Sequence, residues 1–226
     1  MRFTSSSPRA RLPHMQLHGF AAGPYQTNTY VLINDGRAGV IDPGMHAAKQ
    51  VIALLEETGA QLSEIICTHG HIDHVREAGD LAKRYGVPVY LHPEDQFMLQ
   101  PEGVMPQSRI LFDVASMVPI ADLRPLDDGD TVTLAGITLR VEHAPGHSPG
   151  SCLLIHEDFC FTGDVLFKGS IGRTDFPTSS PEDMDATLRG PVWALPDTLQ
   201  LFPGHGPATT MRAERQTNPF LLQLGL

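Results

Sequence analysis

This 226-residue chain has three cysteines, one tryptophan and four tyrosines. Cys67, Cys152 and Cys160 each sit in or at the end of an apolar, strand-like stretch. An odd count without a secreted spacing pattern argues against a disulfide framework. It suits buried, reduced thiols in a reducing compartment, so a cytoplasmic protein is expected. No apolar run approaches the roughly 20 residues that a membrane helix needs, so no membrane partner is expected. Basic residues are also scarce: 16 Lys and Arg face 26 Asp and Glu, a formal charge of −10. A nucleic-acid partner requires a basic surface, so none is expected. Residues 1–14 are rich in Ser, Arg and Pro but lack the hydrophobic segment of a secretory signal. They are expected to be a disordered extension, with a short targeting stretch as the alternative and Met15 as a second possible start.

What remains is ordinary for a soluble globular protein, with 41% hydrophobic and 19% charged residues. No repeat or low-complexity linker divides the chain, so residues 15–226 are expected to form one domain. Apolar strand candidates run over Thr29 to Ile33, Ala38 to Ile41, Ile65 to Cys67 and Val87 to Leu91. Two hairpins are expected: Thr131 to Leu134 with Ile137 to His143, and Ser151 to His156 with Phe159 to Thr162. A last short strand covers Leu199 to Phe202. Helical spacing marks Ala47 to Thr58, capped by Gly59, and Val75 to Tyr85, ending at Gly86. Pro181 to Trp193 and Met211 to Asn218 are further helix candidates, the second closed by Pro219. Residues 93–127 predict a helix near Glu94–Leu99 and then an irregular excursion. Strands interspersed with helices, and hairpins in both halves, predict an α/β protein with mixed sheets.

Thr68-His69-Gly70-His71-Ile72-Asp73-His74 packs four ligand-type side chains into six residues. Imidazole nitrogen and carboxylate oxygen suit Zn, Fe or Mn. Alternate positions of an extended turn project to one side, which fits His69, His71 and Asp73. His74 lies beside them, and Gly70 lets the backbone bend tightly. Asp73 and His74 are expected to open the Val75–Tyr85 helix. The arrangement offers ligands to two adjacent centres, whereas a bare surface histidine cluster would not need the strand that precedes it. Three further segments follow: Ala144-Pro145-Gly146-His147-Ser148-Pro149-Gly150, Phe161-Thr162-Gly163-Asp164 and Phe202-Pro203-Gly204-His205-Gly206. Each puts one ligand-type residue in or beside a Gly/Pro turn.

In this order the four segments resemble the metallo-β-lactamase superfamily. The resemblance implies an αββα sandwich, two packed mixed β-sheets with helices on both outer faces. It also implies two divalent metal ions, Zn being the first expectation and Fe or Mn the alternatives. One would take His69, His71 and His147; the other would take Asp73, His74 and His205; Asp164 would bridge them. The histidines at 14, 18, 46, 92, 143 and 156 have no match and are expected to be structural or on the surface. Two metals sharing a water lower its pKa from 15.7 toward roughly 7. The reaction implied is hydrolysis by metal-activated hydroxide, with Asp73 both ligating and orienting it.

Gly163-Asp164-Val165-Leu166-Phe167 followed by Gly169-Ser170-Ile171-Gly172-Arg173-Thr174-Asp175 is similar to the short glyoxalase II-like proteins. Asn28-Thr29-Tyr30, Ile41-Asp42-Pro43-Gly44 and Thr217-Asn218-Pro219-Phe220 agree with the same group. The substrate implied is a thioester such as S-lactoylglutathione, so the partner expected is a small thioester, possibly glutathione-linked. Lys168 and Arg173 are candidates for a substrate carboxylate; for Arg173, holding its own loop through Asp175 is the equal alternative. Full-length glyoxalase II has a further C-terminal region that supplies basic residues for glutathione. With Leu226 the last residue here, a broader thioesterase range stays open. The rival on the same scaffold is a persulfide dioxygenase with one iron on residues matching His69, His147 and Asp164. That group commonly has cysteine where this chain has Ile171, which favours the hydrolase. A lactonase or β-lactamase agrees less well with the segments around Asp164, and a binding module that had lost catalysis would lack some of the seven ligands.

Overall fold

Residues 15–225 are described by a computed structural model; the extension expected at residues 1–14 lies outside them. β1 (Gln16–Ala22), β2 (Thr27–Asn34), β3 (Arg37–Ile41), β4 (Gln61–Ile66), β5 (Val89–Leu91) and β6 (Leu123–Pro125) form one sheet in chain order. The first three run antiparallel and the later pairs parallel. The second sheet is built from β7 (Thr131–Leu134), β8 (Ile137–His143), β9 (Cys152–Ile155) and β10 (Phe159–Gly163). A small ribbon, β11 (Leu166–Phe167) with β12 (Ser170–Ile171), follows β10. β13 (Gln200–Pro203) then joins β10 in parallel, and β14 (Thr209–Thr210) lies at the edge.

Side-chain alternation decides the layers. On β2, Tyr30 and Leu32 face the second sheet, while Val31 and Ile33 face outward. Phe161 faces the same middle layer, and its neighbour Cys160 points the other way. The outer face of the first sheet is covered by α1 (Ala47–Thr58) and by a second helical segment in two parts, α2 (Ile72–Val75) and α3 (Ala78–Tyr85). The excursion contains α4 (Pro106–Leu111). α5 (Pro181–Thr187), α6 (Met211–Thr217) and α7 (Pro219–Leu222) complete the helices, and all three pack on the second sheet. The architecture is the four-layered αββα sandwich. Cys67, Cys152 and Cys160 are free and buried, and burial pushes each thiol upward in pKa. Among the described residues no helix is long and apolar enough to cross a membrane.

Several elements depart from expectation for local reasons. The helix expected over Val75–Tyr85 starts at Ile72 and breaks at Glu77, whose N–H donates to the Pro43 carbonyl at 2.9 Å. The Glu77 carboxylate is also diverted, accepting from the N–H groups of His46 and Ala48 at the start of α1. Pro181–Trp193 is helical only to Thr187 and then widens to a π turn around Pro191, which has no N–H for the ladder. Pro219 opens α7 and does not simply end α6: Asn218 caps it, accepting from Phe220 N–H at 3.0 Å, and proline suits a first helical position. Residues 93–99 form a 3-10 helix, and the excursion beyond covers a small core of Ile72, Val104, Phe112 and Val114. β1, β6, β11, β12 and β14 have no strong period-2 apolar signal and are held by pairing with their neighbours.

Glu64 on β4 is a buried carboxylate that accepts from Ala135 N–H in the tight β7–β8 turn. Burial raises its pKa above the usual carboxylate value. The folded state therefore favours the protonated form. The cost of ionising it is absent at low pH, grows as pH rises through the ordinary carboxylate pKa toward the raised folded value, and is constant above. Glu64→Gln removes that term. The variant should gain stability relative to the unaltered protein as pH rises from about 4 to about 7. Urea midpoints at both pH values measure this; a difference independent of pH rejects the assignment.

Candidate metal centre

Every loop that carries a predicted ligand leaves the C-terminal end of a strand. β4 leads to residues 69–74, β8 to His147, β10 to Asp164 and β13 to His205. The parallel β10–β13 pair places two of these loops side by side. The two sheets are joined at this edge. Cys152 N–H donates to the Thr68 carbonyl at 2.9 Å, and Asn28 N–H donates to the Gly204 carbonyl at 2.7 Å. Tyr30 O–H and the Asn28 amide both donate to the Pro203 carbonyl. A Cβ on Gly204 would lie 2.2 Å from Asp164 Oδ1 and 2.6 Å from His74 Cε1, so only glycine admits this close approach.

The seven predicted side chains converge in two groups. His69 Nε2 lies 3.1 Å from His71 Nδ1, which lies 2.8 Å from His147 Nε2. Asp73 Oδ2 lies 3.4 Å from His74 Nε2 and 3.2 Å from His205 Nε2. Asp164 stands between the groups, with Oδ1 3.4 Å from His74 Nε2 and Oδ2 3.4 Å from both His147 Nε2 and His205 Nε2.

Hydrogen bonds from the far side of four of the five rings fix their tautomers. His74 Nδ1–H donates to Asp42 Oδ2 at 2.9 Å. Thr68 O–H donates to the same oxygen at 2.7 Å and accepts from His69 Nδ1–H at 3.1 Å. His147 Nδ1–H donates to the Arg173 carbonyl at 2.9 Å, and His205 Nδ1–H to the Tyr25 carbonyl at 3.2 Å. All four Nε2 atoms therefore turn toward the middle. This back-side bonding is the usual support of metal-ligating histidines. His74 Nε2 and Asp164 Oδ1 are buried there with no hydrogen-bond partner. Buried polar atoms without partners are costly, so a cation between them fits the donor set.

The electrostatics differ between the groups. Burial, with His74 and His71 adding to it, pushes His69 well below the ordinary imidazole value. Burial and His147 push His71 to about 3. In the other group burial opposes charge, but Asp164, Asp73 and Asp42 hold His74 well above the ordinary value. Burial likewise opposes charge on His205, but bonds to Asp164 and Asp73 raise it to about 9. Burial alone would raise Asp73 and Asp164; the neighbouring imidazoles bring Asp73 to about 2 and Asp164 well below a normal carboxylate. The field that favours protons on His74 and His205 also favours a divalent cation in their place.

Lys168 lies exposed at the turn of the β11–β12 ribbon, next to Phe167, whose ring stands 6.0 Å from that of His205. The Arg173 guanidinium forms a bidentate pair with Asp175 at 2.8 and 2.9 Å and covers the Phe176 ring at 4.4 Å. Its side chain thus holds its own loop while its carbonyl orients His147. Asp42 was not read from the sequence as part of the centre. Its signal was topological: it directly follows β3, which runs parallel to β4, so its carboxylate reaches Thr68 and His74. Thr27, whose hydroxyl donates to Asp73 Oδ2 at 2.8 Å, left no comparable signal.

The profile of the metallo-beta-lactamase superfamily matches residues 22–205. The hydroxyacylglutathione hydrolase GloC of Haemophilus influenzae is 34% identical, over 87% of this chain and 93% of its own length. Among solved structures, the B3 metallo-beta-lactamase BLEG-1 superposes with a TM-score of 0.81 at 34% identity, over 91% of this chain and 99% of that one. TTHA1623 in a di-iron-bound form gives 0.76 at 36% identity, over 90% of this chain and 100% of that one. With its fold, its ligand-bearing strand ends and these relatives, the chain belongs to the metallo-beta-lactamase superfamily of metallo-hydrolases.

Proposed function

We propose that this protein is a binuclear metal-dependent hydrolase that cleaves thioesters such as S-lactoylglutathione. The carrying observation is the division of the donors: three imidazoles in one group, Asp73 with His74 and His205 in the other, and Asp164 within 3.4 Å of both. The relative GloC supports a thioester substrate, and the segments around Asp164 agree with it better than with a β-lactamase. The donor set admits Zn, with Fe and Mn as alternatives, and TTHA1623 holds two irons.

When bound, a pair of divalent cations supplies two things: ionisation of a shared water near neutral pH and compensation of charge on the carbonyl oxygen. The chain's own groups do the rest. His69, His71 and His147 would hold one ion, Asp73, His74 and His205 the other, and Asp164 both. Asp73 Oδ2 is fixed by the Thr27 hydroxyl beside His205, where it can orient the attacking solvent. Phe176, 5.4 Å from the His71 ring and 5.8 Å from the His147 ring, lines one side of the centre. Phe167 stands on the His205 side. Lys168 is the cation assigned to a glutathione carboxylate. Arg173 acts with it by keeping the Phe176 loop in place.

Elemental analysis of the purified protein beside an S-lactoylglutathione assay tests this reading. About two metal equivalents with thioester cleavage are expected. One iron, no cleavage and oxygen uptake with glutathione persulfide would replace the hydrolase with a dioxygenase.

A further inference from the structure

The two ligand groups share Asp42, whose Oδ2 holds His74 directly and His69 through the Thr68 hydroxyl, but the three-imidazole group has a further support of its own. Asp95, fully buried, lies on the 3-10 helix Pro93–Leu99 and has no described bond to any of the seven ligand side chains. Its Oδ2 accepts from Gly70 N–H and from the Ser148 hydroxyl, each at 2.7 Å. Its Oδ1 accepts from Gly150 N–H at 2.7 Å. Gly70 sits between His69 and His71, and Ser148 follows His147. One carboxylate thus ties together the two segments that carry the three-imidazole group. Both glycines are needed for this approach. A Cβ on Gly70 would lie 2.9 Å from Asp95 Cβ, and one on Gly150 would lie 2.8 Å from Asp95 Cγ.

The helix itself is anchored to the same loop. His92 accepts from Glu94 N–H at its start and stacks on His143 at 4.2 Å with the planes 5° apart. His143 Nε2–H donates to the Pro149 carbonyl at 2.7 Å. In parallel rings the in-plane lone pairs cannot converge on one ion, so His92, Glu94 and His143 form a clasp and not a second metal site. No described bond of Asp95 reaches the supports of the other ligand group, which are Asp42 behind His74, Thr27 beside Asp73 and the Tyr25 carbonyl behind His205.

We infer that Asp95 is a positioning residue for the His69–His71–His147 group alone, so that its loss weakens metal binding in that half of the centre and not in the other. This rests on the binuclear reading above. Removing the Asp95 charge leaves three buried donors facing one another, and the gap between His71 Nδ1 and His147 Nε2 is the distance that relaxes. Metal sites tolerate only about 0.2 Å of error in ligand placement.

The test is a cobalt(II) titration of the whole metal-free protein, followed by ligand-field absorption and calorimetry. The unaltered protein, Asp95→Asn, Ser148→Ala and a His69→Ala reference are compared. Two equivalents are expected for the unaltered protein. Asp95→Asn should keep one at unaltered affinity and weaken the other by about 10–100-fold, the usual scale for groups behind a ligand shell. Its singly loaded spectrum should match that of His69→Ala. Ser148→Ala, which removes one of the three bonds, should weaken the same site by less, and it carries the comparison if Asp95→Asn does not fold. Equal weakening of both sites, or a lower melting temperature with both affinities intact, overturns the inference. Fewer than two equivalents on the unaltered protein overturns the binuclear reading, and this inference with it.

Discussion

Asp164→Ala loses bound metal and hydrolysis together. Among the described residues, Asp164 is the one side chain whose oxygens face both ligand groups, and its Oδ1 is buried without a hydrogen-bond partner. On the proposed binuclear reading, truncation removes a shared ligand and also negative charge that would offset two cations. It leaves His74 Nε2, already unpartnered, opposite an empty volume. Changes behind a ligand shell cost about 10–100-fold, and a bridging ligand should cost more than that range. Because Gly204 was needed to admit the carboxylate, the smaller alanine fits without a clash and the fold should survive. Metal content by elemental analysis, turnover of S-lactoylglutathione and a circular dichroism spectrum give the three readouts. Two retained metals with near-normal turnover would remove Asp164 from the bridging role.

Stripping the metal with a chelator lowers the melting temperature substantially. A ligand that binds only the folded state adds about 2.7 kcal/mol when present at about 100 times its dissociation constant. For chains of about 150–250 residues, each kcal/mol moves the melting temperature by about 2–4 °C. Each ion should therefore contribute about 5–11 °C under those conditions. The structural reason is local: without cations the buried edge holds two imidazoles of raised pKa against Asp42, Asp73 and Asp164, beside three imidazoles with facing lone pairs. A thermal scan with chelator, then with added Zn, Fe or Mn, measures the shift and ranks the metals. An unchanged midpoint after verified metal removal would separate this centre from the protein's stability.

The candidate ligands were legible in the chain because their grouping is partly local. Residues 69–74 hold four of them within one turn, and each remaining one carries a Gly/Pro signature that marks a strand end. The strongly alternating or fully apolar strands β2, β3, β4, β8 and β10 were legible for the same reason, and so was α1 with its glycine cap. The helix break at Glu77 was not legible. Its cause is the Pro43 carbonyl and the start of α1, more than 25 residues away in sequence. β6 and β14 have no pattern of their own because pairing and not alternating burial holds them in place.

By itself the sequence determined which residue types are available: the donors, the glycines that let loops close over them, and the apolar alternation that makes four layers. The resemblance carried by the four segments already implied how the donors divide and that Asp164 stands between them; only the tertiary structure decided the distances within each group and that Asp42 backs both groups while Asp95 serves one. Those outcomes depend on register and strand direction, which bring the ends of β3, β4, β8, β10 and β13 to one edge. A loop carboxylate such as Asp95 has no local pattern that names its partners, because those partners are backbone N–H groups and a hydroxyl about 25 and 53–55 residues away.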